Sequence, residues 1–146
     1  MIDLYRRRWI IEEYFRTLKT AGFDIEDADI GDPHAMMNFV AAAAIAAVTV
    51  KQLVCAREGT TGEHLAEVFD PADQPILEAV SLRLEGKTAR QKNPHQRGSL
   101  AFAAWVVARL GGWDGYYGRA GPRVMRRGLQ DFNHIKYGTT LRLQNV

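Results

Sequence analysis

The longest apolar run in the sequence, MMNFVAAAAIAAVTV at residues 36–50, limits the fold more than any other feature. Alanine predominates in it, and alanine is the strongest helix former, so the run predicts a helix. Asp32-Pro33 just before it supplies a cap residue and a proline for the first helical position. The run is shorter than the roughly 20 residues that span a bilayer. We therefore predict a buried central helix from Pro33 to about Ala56, and no membrane partner.

The rest of the chain shows helical periodicity between short polar or glycine-containing breaks, without useful β-alternation. Hydrophobic residues make up 47% and charged residues 25% of the 146, a composition typical of a globular domain. The prediction is an all-α fold of about six helices, one of them a short helix that Thr61 would cap. The net charge of +2 does not by itself require a nucleic acid partner. The single cysteine, Cys55, excludes an internal disulfide and fits a cytoplasmic location.

The segment YRRRWIIEEYFRTLK, residues 5–19, predicts a first helix with one polar face. At about 100° per residue, the face spans an arc of roughly 80°. Its members are Tyr5, Arg8, Glu12, Arg16 and Lys19. A neighbouring apolar stripe is formed by Leu4, Ile11, Phe15 and Leu18. From spacing alone, this remains compatible with an ordinary solvated face supported by pairs four residues apart.

Four of these residues follow the spacing Y-x2-R-x3-E-x6-K, which resembles the signature of bacterial DDE-type cut-and-paste transposases of insertion-sequence family four, the group that includes the transposase of the fifth Tn transposon. The following KTAGF and the later block GSLAFAAWVVARLGGW, residues 98–113, also resemble that group. The resemblance implies that the first helix packs on an RNase H-like sheet absent from this chain. It also divides the chain into a last catalytic-domain helix at 1–22, a helical connecting region at 23–98 with a basic loop at 86–98, and a C-terminal dimerisation region at 99–146.

The resemblance assigns a role to each residue of the motif. Glu12 matches the glutamate of an Asp-Asp-Glu triad that holds two Mg²⁺ or Mn²⁺ ions, so it is the expected catalytic and metal-binding residue. Tyr5, Arg8 and Lys19 match residues that bind transposon-end DNA, and Arg16 lies on the same arc. Glu13 falls about 100° from Glu12 and off this face.

Both aspartates of such a triad would precede the glutamate, and only four residues precede Tyr5. Because one carboxylate does not make a two-metal site, we expect the chain alone neither to bind a metal stably nor to cut DNA. The expectation is therefore a C-terminal fragment of a transposase, not an enzyme by itself.

Two downstream segments have candidate functions. The basic loop offers Lys87, Arg90, Lys92 and Arg97, with His95, for salt-sensitive contacts to DNA phosphates, although such runs are also typical of solvated surface. Region 99–146 would join two copies, or this chain and a full-length transposase. In its final helix, Leu129, Phe132 and Ile135 would either form that contact or pack back on the domain.

One alternative belongs to a different class of function. The chain would then be a helical protein-interaction module without a nucleic acid role, or an inhibitor that forms mixed dimers with an intact transposase.

Overall fold

The computed structural model describes residues 2–20, 23 and 25–144, with side chains for 8–19, 23 and 25–142. Five α-helices account for most of these residues, and no strand occurs among them, so the all-α prediction is confirmed. The helices are α1 (Ile2–Thr20), α2 (Pro33–Ala56), α3 (Gln74–Leu84), α4 (Leu100–Leu110) and α5 (Pro122–Gln144). They form two compact units, residues 1–51 and 52–146, which are described separately. The predicted three-part division at 22 and 98 remains a prediction.

In the first unit, α1 packs against α2 through small side chains. Leu18 lies buried against Ala43 and Ala47, with Tyr14 and Phe23 at the margin. Alanine on this face of α2 leaves space for the larger Leu18 and Tyr14 side chains of α1. The Tyr14 hydroxyl donates a hydrogen bond to the Ala44 carbonyl at 3.1 Å, so the contact is polar at one edge as well as apolar.

The burial predicted for α2 is wrong over most of its length. Ala43, Ala47 and Val50 are buried, but Met37 and Ile45 on the opposite face are 69% and 71% exposed. α2 is also long and apolar enough to cross a membrane, by length and composition, and one third of its most apolar window is buried. The sequence predicted burial on every side because apolar residues surround the helix, whereas the described residues cover only one face.

The second unit is built around α4. Every residue from Leu100 to Ala108 is buried, because α3 and α5 both pack against this short apolar helix. Ser99 caps the helix, since its Oγ accepts a hydrogen bond from the Phe102 amide at 3.1 Å. Phe132 of α5 is fully buried and meets Phe69 edge to face, with ring centroids 5.6 Å apart.

Two glycines set the distance between α4 and α5. A Cβ at Gly128 would lie 1.8 Å from the Val107 carbonyl oxygen, and one at Gly111 would lie 2.1 Å from the Val124 carbonyl oxygen. Both contacts are with backbone, which cannot rotate away as a side chain can. The two helices therefore cross at a separation that only glycine permits.

An ion pair between a half-exposed lysine and a buried aspartate joins α5 to the segment before α3. Lys136 Nζ lies 2.8 Å from Oδ1 and 2.9 Å from Oδ2 of Asp73, a carboxylate that is only 3% exposed. A charge this deeply buried requires a charged or hydrogen-bonding partner. The lysine thus fixes the middle of α5 to the segment that precedes α3.

The predicted Thr61-capped helix is only a 3₁₀ turn at Leu65–Glu67. Gly62 has a φ of +66°, which interrupts helix formation just after Thr61. Further along, Asp70 and Pro71 begin the next helical segment, since Asp70 Oδ1 accepts a hydrogen bond from the Ala72 amide at 2.9 Å. A 3₁₀ turn at Pro71–Asp73 precedes α3 there.

Candidate nucleic-acid interface

The predicted polar face of α1 is exposed wherever its side chains are described. Arg8 Nε lies 3.0 Å from Glu12 Oε1, and both side chains are more than half exposed. Lys19 pairs with Glu26 at 2.7 Å, also at the surface, and Arg16 is exposed. The side chain of Tyr5 lies outside the described residues. The structure therefore brings Arg8 and Glu12 into contact and leaves Glu12 open to solvent.

Glu13, the neighbour of Glu12, has a different environment. Its carboxylate forms an ion pair with Lys51 of α2, and both side chains are largely buried. The two glutamates therefore differ sharply: Glu13 belongs to the contact between α1 and α2, whereas Glu12 faces outward. This agrees with the choice of Glu12 as the candidate ligand, a role that remains a prediction.

A shallow hollow lies beside Glu12. Its volume is about 110 Å³, and it is lined by Trp9, Glu12, Glu13 and Arg16. Within the part of the chain that the structure describes, no group of three or more His, Cys, Asp or Glu side chains could hold a metal ion. One exposed carboxylate that pairs with Arg8, beside a glutamate bound to a lysine, does not match a site for two divalent cations, which need several oxygen ligands each.

The predicted basic loop divides into residues with different surroundings. Arg97 pairs with Glu78 at 3.3 Å, and Lys87 is exposed. Arg90, Lys92 and His95 line a cleft of about 470 Å³ within the second unit. The loop is therefore not simply a solvated charge run, because part of it forms one wall of a concave surface.

Other residues that line this cleft come from segments for which the sequence predicted no function. Arg57 and Glu58 follow α2, while Trp113, Tyr116 and Arg119 lie between α4 and α5. The latter segment has the sequence WDGYYGRAGP, which is rich in glycine and aromatic residues. That combination is a usable signal of a binding segment, but its position beside the basic loop depends on tertiary contacts.

Hydrogen bonds hold the aromatic wall in place. Trp113 Nε1 donates to the Gly118 carbonyl at 3.2 Å, and the Tyr116 hydroxyl lies 2.9 Å from Thr88 Oγ1 of the basic loop. Asp114 Oδ1 accepts hydrogen bonds from the Tyr116 and Tyr117 amides at 2.8 and 3.2 Å, and these bonds lower the pKa of Asp114. The segment is thus a structured turn joined directly to the basic loop.

His95, which lines the cleft, has a pKa below its ordinary value. Burial lowers the pKa of His95, while a hydrogen bond with the Arg57 backbone and the charge of Glu58 act in the opposite direction. Its ring lies against Gly59, where an added Cβ would come within 2.9 Å of Nδ1. The neutral ring is therefore favoured in the folded protein.

The comparison with known families gives one result. Residues 1–49 match the family model described as Transposase DDE domain. The match includes α1 with its exposed Glu12 and most of α2, about one third of the chain. It supports the interpretation of the chain as a fragment of a DDE transposase. Such enzymes generally use divalent metals, bind the ends of a transposon and act as oligomers. No curated protein matches the chain.

Proposed function

We propose that the chain is the C-terminal part of a cut-and-paste transposase of insertion-sequence family four. In this proposal Glu12 is the metal-binding glutamate, and Tyr5, Arg8, Arg16 and Lys19 contact transposon-end DNA. The observation that supports it most strongly is the exposed Arg8–Glu12 pair within the segment that matches a transposase DDE domain. A carboxylate that acted only in packing would not need to face solvent.

The chain by itself is proposed to be non-catalytic. Glu12 supplies one carboxylate, and Glu13 is bound to Lys51 and so is not available as a second. Divalent-metal chemistry would require further oxygen ligands from the rest of a complete enzyme. The contribution of this chain is then to position one carboxylate and several cations along a helix.

Exposed apolar side chains support the need for a larger assembly. Trp9, Ile11 and Phe15 on α1 are each more than half exposed, and so are Met37 and Ile45 on α2. Exposed apolar surface of this extent is typical of a protein contact. In the proposal, the RNase H-like sheet of the catalytic domain covers part of it.

The proposed dimer contact lies in residues 99–146, but its apolar candidates have different positions. Phe132 is fully buried within the second unit and so cannot contribute to a contact with another chain. Tyr137 and Leu141, nearer the end of α5, are 69% and 44% exposed. The end of α5 is therefore the part of this region that best fits a contact with a second copy or with a full-length transposase.

DNA binding distinguishes this proposal from a helical interaction module. A filter-binding titration of the whole chain against a short DNA duplex should show affinity that falls steeply with salt. Arg8→Gln and Lys19→Gln should each weaken binding several-fold and reduce the salt slope by about 0.9, the value for one lost phosphate contact. Arg83→Gln is a matched control, because it removes an exposed arginine from α3 outside the proposed interface.

Two results would contradict the proposal in different ways. If Arg83→Gln weakened binding as much as Arg8→Gln, DNA would be attracted by overall charge and α1 would have no special role. Mg²⁺-dependent nicking by the purified chain, abolished by Glu12→Gln, would show that the chain is catalytic by itself. In the absence of duplex binding at low salt, the interaction module would be the better interpretation.

A further inference from the structure

The cleft between the basic loop and the 113–120 segment combines a cationic wall with an aromatic one. From this geometry we propose that the cleft binds one unpaired nucleotide of a DNA strand, with its phosphate on Arg90 and Lys92 and its base against Trp113 and Tyr116. The inference rests on the proposed function only for the choice of DNA as the polymer. It adds a second, separate nucleic-acid site to the one on α1.

Charge is the first argument for an anionic ligand. Four cationic side chains line the cleft, namely Arg57, Arg90, Lys92 and Arg119, against the single carboxylate of Glu58. Glu58 Oε1 is shared between Arg57 and Arg119, with both Nε–Oε1 distances 3.3 Å. Glu58 therefore compensates only part of the positive charge.

Arg90 and Lys92 are the cations available to a ligand. Both are exposed, and neither forms an ion pair with any residue that the structure describes. A guanidinium offers a planar pair of donors to phosphate oxygens, and an ammonium offers a compact charge. Two such groups on one wall are suited to a phosphodiester.

The aromatic wall distinguishes a nucleotide from a simple anion. Bases of single strands stack on aromatic side chains, and this contact tolerates any sequence. Trp113 and Tyr116 are suited to it because hydrogen bonds already fix them to Gly118 and Thr88, so little side-chain freedom is lost on binding. In a duplex the base faces are covered by their neighbours, so this wall is specific for an unpaired base.

The size of the cleft agrees with this ligand. Its volume of about 470 Å³ lies within the roughly 300–1,000 Å³ typical of small-molecule sites. Three of its lining residues, Ala104, Ala108 and Ala120, are small and buried, so they take up little of this volume. The site is thus large enough for one nucleotide.

The test uses fluorescence anisotropy of a labelled single-stranded oligothymidylate with the full chain. Replacing both Arg90 and Lys92 by Gln should weaken binding about tenfold or more and reduce the salt slope by about 0.7 for each lost contact. Arg83→Gln is the control for charge, since Arg83 is exposed on α3 in the same unit but does not line the cleft. It should leave the affinity within about twofold.

A second pair of variants tests stacking independently of charge. Tyr116→Leu should weaken binding about tenfold, because it removes the ring but no charge. Tyr116→Phe keeps the ring and removes only the hydroxyl bonded to Thr88, so its loss of affinity should be clearly smaller than that of Tyr116→Leu. Thermal unfolding of each variant checks that the second unit remains folded.

Four outcomes would overturn the inference. They are an equal loss of affinity in Arg83→Gln, a loss in Tyr116→Phe as large as in Tyr116→Leu, an equal loss of blunt-duplex affinity in the Arg90 and Lys92 variant, and displacement of the oligonucleotide by an equal concentration of polyglutamate. A failure of the proposed function can be distinguished from a failure of the cleft site. If Arg8→Gln weakens duplex binding while the cleft variants leave single-strand binding unchanged, the α1 site stands and the cleft site does not; the opposite pattern supports the cleft alone.

Discussion

His95 shows how a single side chain can make this fold sensitive to pH. Its half-buried ring lies against Gly59 at one end of the cleft, and burial lowers its pKa below the ordinary value of 6.5. As the pH falls below about 6.5, the unfolded chain therefore takes up a proton before the folded chain does. The stability that the neutral ring contributes is fully present above pH 6.5. It is lost as the pH falls from there through the lowered pKa of His95 in the folded protein.

We expect acid to lower the thermal unfolding midpoint through His95 over the range just below pH 6.5. The loss should be modest, below about 1 kcal/mol, because solvent screens a ring that is only half-buried. His95→Gln should remove this part of the pH dependence, whereas replacement of the exposed His34 by Gln should retain it. Identical pH profiles for wild type and His95→Gln would show that burial of this ring has no effect on titration.

At the scale of elements, the crossing of α4 and α5 holds the second unit together. Gly128 and Gly111 bring the two backbones into direct contact, and the buried residues of α4 fill the space around this contact. A close crossing of this kind cannot relax by rotating a side chain. Its stability therefore requires glycine at both positions, because a methyl group at either one would clash with the backbone of the other helix.

Gly128→Ala should destabilise the second unit by about 3 kcal/mol, since a Cβ within 1.8 Å of the Val107 oxygen must force the helices apart. Gly138→Ala in the same helix is the control. Nothing lies within 4 Å of a Cβ there, so the better helix propensity of alanine should stabilise the protein by about 0.5–1 kcal/mol. Opposite signs in denaturant unfolding would support the crossing, and equal effects would contradict it.

Local sequence signals predicted where the helices begin, whereas the cleft and the burial of α2 depend on contacts between distant residues. The caps at Asp32 and Ser99 were predictable because each involves residues within three positions. The cleft was not, because it depends on the contact of Thr88 with Tyr116 across 28 positions. The burial of α2 also could not be predicted, since its all-round apolar sequence does not say which face the chain itself covers.

The candidate site was predictable to a different degree on each surface. On α1 the arc of Arg8, Glu12 and Lys19 followed from helical geometry, and the structure exposes all three. In the basic loop, charge alone could not separate Arg90, which lines the cleft, from Arg97, which pairs with Glu78. Their roles in DNA binding remain predictions on both surfaces.

At the scale of the whole molecule, exposed apolar side chains on α1 and α2 should make the purified chain self-associate. Phe15 and Ile45 are 53% and 71% exposed, and water-exposed apolar patches favour association. Light scattering over a concentration series should show oligomers that the double variant Phe15→Glu/Ile45→Glu shifts toward monomer. A wild-type chain that stays monomeric at high concentration would contradict this expectation.

The matched control for association is Leu82→Glu. Leu82 is 65% exposed on α3 in the second unit, so this variant places one carboxylate at a comparably exposed apolar position outside the first unit. If association instead occurs through the end of α5, Leu141→Glu should reduce it and the α1 and α2 variants should not.

The bonds that α1 makes with α2 also determine its rotational setting. Glu13 pairs with Lys51, Tyr14 with the Ala44 carbonyl, and Leu18 packs beside Ala47, so turning the helix about its axis would break all three contacts together. Glu12 consequently points outward before any ligand arrives. A polymer that docks along this edge meets a preorganised row of side chains, and binding need not offset the cost of reorienting the helix.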